Sequence, residues 1–511
     1  MTRFYLTTTI PYVNAAPHLG FALEAVQADV IARHRRSLGD EVRLLTGTDD
    51  NSLKNVLAAD GAGVPVQEFV DANAAAFARL REPLALSYDD FIRTSRDPRH
   101  RPGVERLWRA CAHDLHLDTY TGLYCVGCEH YLTPDELDGS GHCPEHGVPP
   151  QRIEERNWFF RLSKYAEPLR EAITGGRLRI EPESRRNEVL AFIDAGLRDF
   201  SVSRSQQRAR GWGITVPGDP DQVVYVWWDA LANYLTSLDH GTDGEAYRTW
   251  WEGADRRVHV IGKGVLRFHA VYWPAMLLSA GLPLPTDILV HDYLTVDGRK
   301  ISKSAGTAVD PVVLADTYGA DALRCWLLRE VPRVGDADFT ADRLIARADE
   351  DLAGGAGNLV NRIVTMAHRF RAGRVDLTVP GATDAKDLVA ACTDAPGLIA
   401  AALADYDFRR ATAAVWAVVE QANRHIDRVR PWDLAKAERG GDPLAGPRLD
   451  AALAVLLGAC LAFADLLAPF LPGASALITA QCTADPDGLL PPPTPLFPAS
   501  NPDPPPPADR S

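Results

Sequence analysis

The amino-acid sequence predicts an α/β fold: a parallel sheet built in two separated halves, with a cysteine-bearing module between them and a helical bundle after them. Three observations carry this. Short apolar runs alternate with helix-like stretches in two blocks, clustered cysteines and turn residues occupy the segment between the blocks, and a long Ala- and Leu-rich helical text follows. Such alternation is the rhythm of strands joined by crossover helices. At 511 residues the chain exceeds what one core organises, so several domains are expected.

Residues 1–114 hold the first half of the sheet. Phe4 to Ile10 reads as a strand, Leu19 to Arg36 as a helix, and Val42-Arg43-Leu44-Leu45 as the next strand. Residues 115–218 form the inserted module. The rhythm resumes over 219–345, with Val258-His259-Val260-Ile261 and Asp287-Ile288-Leu289-Val290 as strands. From 346 to 485 the periodicity turns helical, as in Ala411 to Ile426 and Leu449 to Phe470. The last stretch, 486–511, is proline-rich, with Pro504 to Pro507 consecutive, and is expected to be extended or disordered.

A formal charge of −14 speaks weakly against a nucleic-acid partner, because phosphate binding needs basic groups. Local basic clusters nevertheless exist at Arg33, Arg35 and Arg36, at Arg204, Arg208 and Arg210, and at Arg424, Arg428 and Arg430; such clusters are most often solvated faces. No run of about 20 uninterrupted apolar residues is present, and the first residues read as a strand instead of a signal peptide. A cytoplasmic protein without a membrane partner is therefore expected. Three of the eight cysteines crowd together, while Cys111, Cys325, Cys392, Cys460 and Cys482 are scattered, so a disulfide framework is not.

Pro17-His18-Leu19-Gly20 lies between a strand and a long helix. Free N–H groups and the helix dipole attract phosphate at such an end, where His18 could donate to a polyphosphate and Gly20 admit a nucleotide base. Alone, the tetrapeptide reads better as an ordinary loop. In Asp297-Gly298-Arg299-Lys300-Ile301-Ser302-Lys303-Ser304, two lysines stand three apart on a Gly- and Ser-rich loop, where ammonium groups can follow developing phosphate charge. Cys125-x-x-Cys128 and Cys143-x-x-His146 are two close pairs of soft ligands, which suits one tetrahedral, structural Zn²⁺ with all four positions filled.

The His-x-Gly turn and the Lys-x-Ser-Lys-Ser loop together resemble the paired signatures of class I aminoacyl-tRNA synthetases. Three longer strings resemble the methionyl-tRNA synthetases among them: Thr9-Ile10-Pro11-Tyr12, Val224 to Tyr234 (VYVWWDALANY), and Ile261 to Pro274 (IGKGVLRFHAVYWP). That resemblance implies a Rossmann-type catalytic domain split by a zinc-knuckle connective module, then an α-helical anticodon-binding domain. Its chemistry is attack of the methionine carboxylate on the α-phosphate of ATP, bound with Mg²⁺, and transfer of the aminoacyl group to tRNA(Met). It implies catalytic roles for His18, Lys300 and Lys303, and ATP contacts from His18, Gly20, Gly262 and Lys303. A methionine pocket would be lined by Ile10, Tyr12, Trp227, Ala230, Leu231, Tyr234, Val265, His269 and Trp273, with Asp49 holding the ammonium group. Polarizable aromatic walls suit a thioether. The Cys125, Cys128, Cys143 and His146 set would be the knuckle of one subgroup, with Asn157 to Leu162 in the same module. Asn358, Arg362 and Trp432 would read the anticodon by hydrogen bonds and stacking. A monomer is expected.

The chain departs from the family pattern on the nucleotide side. Phe21 stands where the first signature ends in a second histidine, Asp50-Asn51-Ser52 replaces Glu-His-Gly, Gly264 replaces an aspartate near the ribose, Asp292 replaces a glycine, and Ile301 replaces a methionine. Three readings follow: a methionyl-tRNA synthetase, a repurposed paralogue that adenylates an amino acid for a small-molecule nucleophile in natural-product synthesis, and a non-catalytic tRNA-binding protein. Asn358, Arg362 and Trp432 favour the first over the second, and Lys303 with the intact pocket favours the first two over the third.

Overall fold

The computed structural model describes residues 1–125, 130–144, 147–301, 309–379 and 385–497. They divide into two compact units, one of residues 1–28, 35–80 and 87–291, the other of 29–34, 81–86 and 292 onward.

The first unit is built on a six-stranded parallel sheet, in the order Asp90–Arg93, Glu41–Thr48, Arg3–Thr8, Arg256–Gly262, Asp287–His291, Arg179–Glu181. Leu6 stands between Leu44 and Val258, which brings the two sequence blocks side by side at the centre. Tyr5, Leu6, Leu45, Val260 and Ile261 have no exposure, as expected of a sheet covered on both faces. The chain leaves Arg3–Thr8 toward one edge and returns at Arg256–Gly262 toward the other. Such a reversal opens a crevice at the carboxyl ends of the strands, where open α/β sheets bind ligands.

Between the halves, His130–Leu132, Leu115–Cys125, Gln151–Phe160 and Phe200–Ser201 pair as an antiparallel sheet. Thr215–Val216, Asp219–Val224 and Ser203–Ser205 form a second, three-stranded one. Phe160 and Leu162 enter the main core, where Phe160 meets Trp228 edge-on. The helix Leu19–Ser37 and the strand Glu41–Thr48 run close to the bounds expected from the sequence.

In the second unit, Arg299–Lys300, Leu294–Val296 and Ala337–Asp338 make a small sheet, and helices follow. Asp310 caps Pro311–Tyr318 and Thr340 caps Ala341–Ala348, each side chain accepting from a first-turn N–H. Arg324, with no exposure, donates to Asp29 Oδ2 (2.8 Å), Leu84 O (3.0 Å) and Phe470 O (2.7 Å). These bonds tie the short segments 29–34 and 81–86 to the helices. The segment expected as Leu449 to Phe470 is helical over Ala445–Leu467 and stops there, because Pro469 and Pro472 cannot continue the ladder.

By length and composition, Ala445–Leu467 and Lys386–Ala404 are each apolar enough to cross a membrane, despite the absence of an uninterrupted apolar run. Ala445–Leu467 buries Leu449, Leu453, Leu456, Phe463 and Leu467 among neighbouring helices, as a core helix does. The proline-rich end is extended, yet it is fastened as far as it is described. Leu490 N–H donates to Gly373 O (2.9 Å), His368 Nε2 to Pro491 O (2.9 Å), and Gln481 Nε2 to Pro492 O (3.0 Å).

Candidate active site

At the carboxyl ends of the central strands lies a cavity of about 140 Å³. That is smaller than the roughly 300–1,000 Å³ of sites for drug-sized ligands, and suits an amino-acid side chain. Four segments line it. The turn after Arg3–Thr8 supplies Ile10 and Tyr12, the end of Glu41–Thr48 supplies Asp49, the helix Val226–Thr236 supplies Trp227, Ala230, Leu231 and Tyr234, and the turn after Arg256–Gly262 supplies Val265 and His269. Positions 227, 230, 231 and 234 recur at helical spacing, so one face of the helix forms a wall.

Asp49 is 1 % exposed and is the one carboxylate among the residues that line the cavity. Its backbone N–H donates to Pro11 O (2.9 Å), and its side chain accepts from the N–H of Asn51 (3.2 Å). Elsewhere in the lining, Tyr234 OH lies 2.8 Å from His269 Nε2, and His269 Nδ1 lies 2.9 Å from Val265 O. A carbonyl only accepts, so Nδ1 carries the proton and Nε2 accepts from the tyrosine. Burial pushes the His269 imidazole down to about 4 and the Tyr234 hydroxyl well above its usual value. This wall is polar but uncharged at neutral pH.

Trp273 does not line the cavity, contrary to the sequence expectation; it stands behind Tyr234, fully buried, with ring centroids 5.9 Å apart. Its Nε1 donates to His259 Nε2 (3.2 Å), which leaves His259 Nδ1 to donate to Thr7 Oγ1 (2.7 Å). His259 also stacks on Tyr234, at 4.2 Å. His259, Phe268 and Glu24 were missed in the sequence. Phe268 stacks flat on Trp227 at 3.7 Å. Glu24 accepts from Thr9 N (2.7 Å) and from His291 Nε2 (3.1 Å). The available signal was a polar residue in an apolar text: His259 between Val258 and Val260, and Glu24 between Leu23 and Ala25.

Burial lowers three histidines, His240 and His269 to about 4 and His259 well below its usual value. A histidine whose folded pKa is depressed takes up its proton only on unfolding, so stability falls as pH drops from the unfolded value of about 6.5 toward 4. Tm should decline through this window, with about three protons taken up on unfolding near pH 5 if all three stay neutral in the fold. Calorimetry in buffers of different ionisation enthalpy checks this; a flat profile would contradict it.

The first signature leads into the helix Leu19–Ser37. His18 O accepts from Phe21 N (3.0 Å), and its Nδ1 accepts from Gly20 N (3.1 Å), so in the neutral ring Nε2 carries the N–H and can donate. A Cβ on Gly20 would stand 3.0 Å from the His18 ring, so glycine lets the imidazole lie over the helix start. Phe21 is turned into the core, edge-on to Phe77 at 5.2 Å. A Cβ on Gly262 would lie 3.4 Å from His291. Lys300 ends a short strand of the second unit, and Lys303 lies outside the described residues.

The other departures are built into local networks. Asp50 accepts from Arg93 (2.9 Å), Ser95 (2.7 Å) and Thr48 (2.8 Å), while burial raises its pKa against the pull of Arg93. Ser52 caps Leu53–Ala62 by accepting from Lys54 N. Asp292 accepts from Gly335 N (2.6 Å), and Gly264 is exposed in the turn Lys263–Val265.

In the inserted module, Cys125 and Cys143 are both 1 % exposed and share a small apolar cluster with Leu132. Cys128 and His146 lie outside the described residues. Two buried thiols brought together in a segment with little core of its own fit a thiolate-held metal. In the second unit, Asn358 is exposed at the start of Asn358–Arg371, Arg362 donates to Asn423 Oδ1 (3.1 Å), and Trp432 is 38 % exposed on Pro431–Arg439. All three are accessible from solvent to some degree.

Known proteins match this chain over nearly its whole length. A family model described as tRNA synthetases class I (M) matches residues 4–153 and 146–364. The methionine–tRNA ligase of Mycobacterium tuberculosis is 39% identical over 529 residues, spanning 99% of this chain and 99% of that protein. The methionine–tRNA ligase of Clostridium perfringens is 39% identical over 482 residues, 94% of this chain and 73% of that one. A solved structure of Mycobacterium tuberculosis methionyl-tRNA synthetase in complex with methionyl-adenylate superposes with a TM-score of 0.91 at 38% identity, covering 98% of this chain and 100% of that one.

Proposed function

This chain belongs to the class I tRNA synthetases of the methionine type, and on that premise we propose that it is a methionine–tRNA ligase, using ATP to form methionyl-adenylate and transferring methionine to tRNA(Met). The observation that carries the reading is the cavity itself, whose lining combines one carboxylate, Asp49, with neutral aromatic groups. Asp49 would hold the substrate ammonium. The thioether would lie against Trp227, Leu231 and Val265, with Tyr234 and His269 offering at most a weak polar contact. So held, the substrate carboxylate attacks the α-phosphorus of ATP, a P–O bond to the β-phosphate breaks, and pyrophosphate leaves. In the second step a terminal ribose hydroxyl of tRNA attacks the mixed anhydride and AMP leaves.

His18, at a helix start, would donate to the phosphates, and Lys300 and Lys303 would follow the charge that develops on pyrophosphate, with Mg²⁺ neutralising the remainder. Gly20 and Gly262 would admit the nucleotide. Most of the catalysis in such a site is positioning and charge stabilisation. Asn358, Arg362 and Trp432 would contact the anticodon. Methionine should support exchange of pyrophosphate into ATP and leucine should be discriminated against by about 1–3 kcal/mol, the yield of a shaped apolar pocket. Equal exchange with leucine would defeat the reading.

Cys125, Cys128, Cys143 and His146 would hold one structural Zn²⁺, a set of three thiolates and one imidazole. Metal analysis of the purified protein should return about one Zn²⁺ per chain, lost in a Cys125→Ser, Cys143→Ser double variant. A stoichiometry near zero in active protein would contradict it.

A further inference from the structure

We propose that Asn51 is a positioning residue that clasps the turn carrying Asp49 to the helix carrying the aromatic wall, and so fixes the separation between the ammonium site and the side-chain pocket. The proposal rests on reading the cavity as a methionine site. Besides a longer side-chain bond to Thr94 O (3.4 Å), Asn51 makes two contacts that bear on the cavity. Its backbone N–H donates to Asp49 Oδ1 (3.2 Å), and its side-chain Nδ2 donates to Asp229 Oδ2 (2.7 Å). Asp229 lies in Val226–Thr236, between Trp227 and Ala230, and is 1 % exposed.

The far side of that carboxylate is held as firmly. Asp229 Oδ1 meets Nε2 of His100, a residue with no exposure, and His100 Nδ1 lies 2.8 Å from Oγ1 of Thr236, the last residue of the same helix. A buried carboxylate needs every oxygen satisfied, so the donor from Asn51 is not optional. Both ends of the clasp bear on lining residues: Asp49 on one side, and Trp227, Ala230, Leu231 and Tyr234 on the other.

Residue type matters here. Resemblance to the family places a histidine at position 51. Histidine Nδ1 and asparagine Nδ2 are each bonded to Cγ, so the two side chains present an N–H at the same reach. The replacement in this chain therefore keeps the donor while shedding a titratable ring. What looks in the sequence like an eroded nucleotide motif is, in the fold, an intact tie.

The test uses the full chain with Asn51→Ala, Asn51→Asp and Asn51→His, read by pyrophosphate exchange and by amide hydrogen exchange of residues 46–55 without substrate. Asn51→Ala should raise the methionine KM about tenfold, the factor carried by one lost bond to a buried charge, with the ATP KM and kcat within about twofold. Asn51→Asp, which sets a second carboxylate against Asp229, should raise it further, and Asn51→His should rescue it to within about threefold of the parent. Amides of Asp49 and Asn51 should exchange about tenfold faster in Asn51→Ala. An unchanged methionine KM with unchanged exchange overturns the clasp, as does an equal loss in all kinetic parameters. Absence of methionine-dependent activity in the parent would instead overturn the functional reading, and hydrogen exchange alone would still decide whether the clasp exists.

Discussion

Asp49→Asn is expected to lower kcat/KM for methionine by about 10²- to 10³-fold, the loss that follows when one partner of a desolvated charge pair is neutralised. The carboxylate is 1 % exposed, and its turn is fastened by Pro11 O and by Asn55, whose Nδ2 donates to Asp49 O (2.9 Å). These bonds use the backbone of residue 49, so they survive the substitution. Oδ1 remains an acceptor for Asn51 N–H. The fold should therefore hold, and the deficit should fall on substrates with a free ammonium group. Steady-state exchange kinetics with a Tm control make the comparison; a kcat/KM within about threefold of the parent would place the ammonium elsewhere.

Phe21→His should raise the rate of adenylate formation by up to about 10²-fold, because it returns a donor to the start of a helix whose N–H groups and dipole already favour phosphate. The structure adds a cost that the sequence did not show. Phe21 packs edge-on against Phe77 at 5.2 Å, within the wall between Leu19–Ser37 and Val66–Ala78. An imidazole there loses the aromatic contact, worth about 0.5–1.5 kcal/mol, and must turn toward the phosphates to satisfy its nitrogens. A faster enzyme with a lower Tm is the expected pair of results. Adding Gly264→Asp, at an exposed turn, should increase the gain if ribose placement is the second deficit, and the double variant has to be measured directly because neighbouring sites need not add. A Tm loss without any gain in rate would show that the nucleotide site has been reshaped instead of weakened.

The strands were legible because their signal is local. Val258 to Ile261 and Asp287 to Val290 are apolar runs of the length that a covered parallel strand requires, and both lie in the sheet. The pocket residues were reached through the family resemblance, and the fold adds that Trp227, Ala230, Leu231 and Tyr234 lie at helical spacing on one helix. What stayed hidden depends on contacts between residues distant in the chain. Nothing in Val258-His259-Val260 says that the imidazole will bind Thr7 and Trp273 at once, or that this places Trp273 one layer behind the cavity. The replacements at 50–52 read as damage because a motif is judged by its letters, whereas the fold judges each by the partner it meets: Arg93 for Asp50, Asp229 for Asn51 and Lys54 N for Ser52. The proline-rich end looked unstructured because its fastening uses carbonyls of Pro491 and Pro492, which composition cannot reveal.

The most direct test is single-turnover transfer from preformed methionyl-adenylate on the enzyme to tRNA(Met). Methionyl-tRNA is expected in a yield that follows the enzyme-bound adenylate, strongly reduced for tRNA with an altered anticodon. Formation of adenylate with no transfer to tRNA, and its release instead to a small-molecule amine, would contradict it.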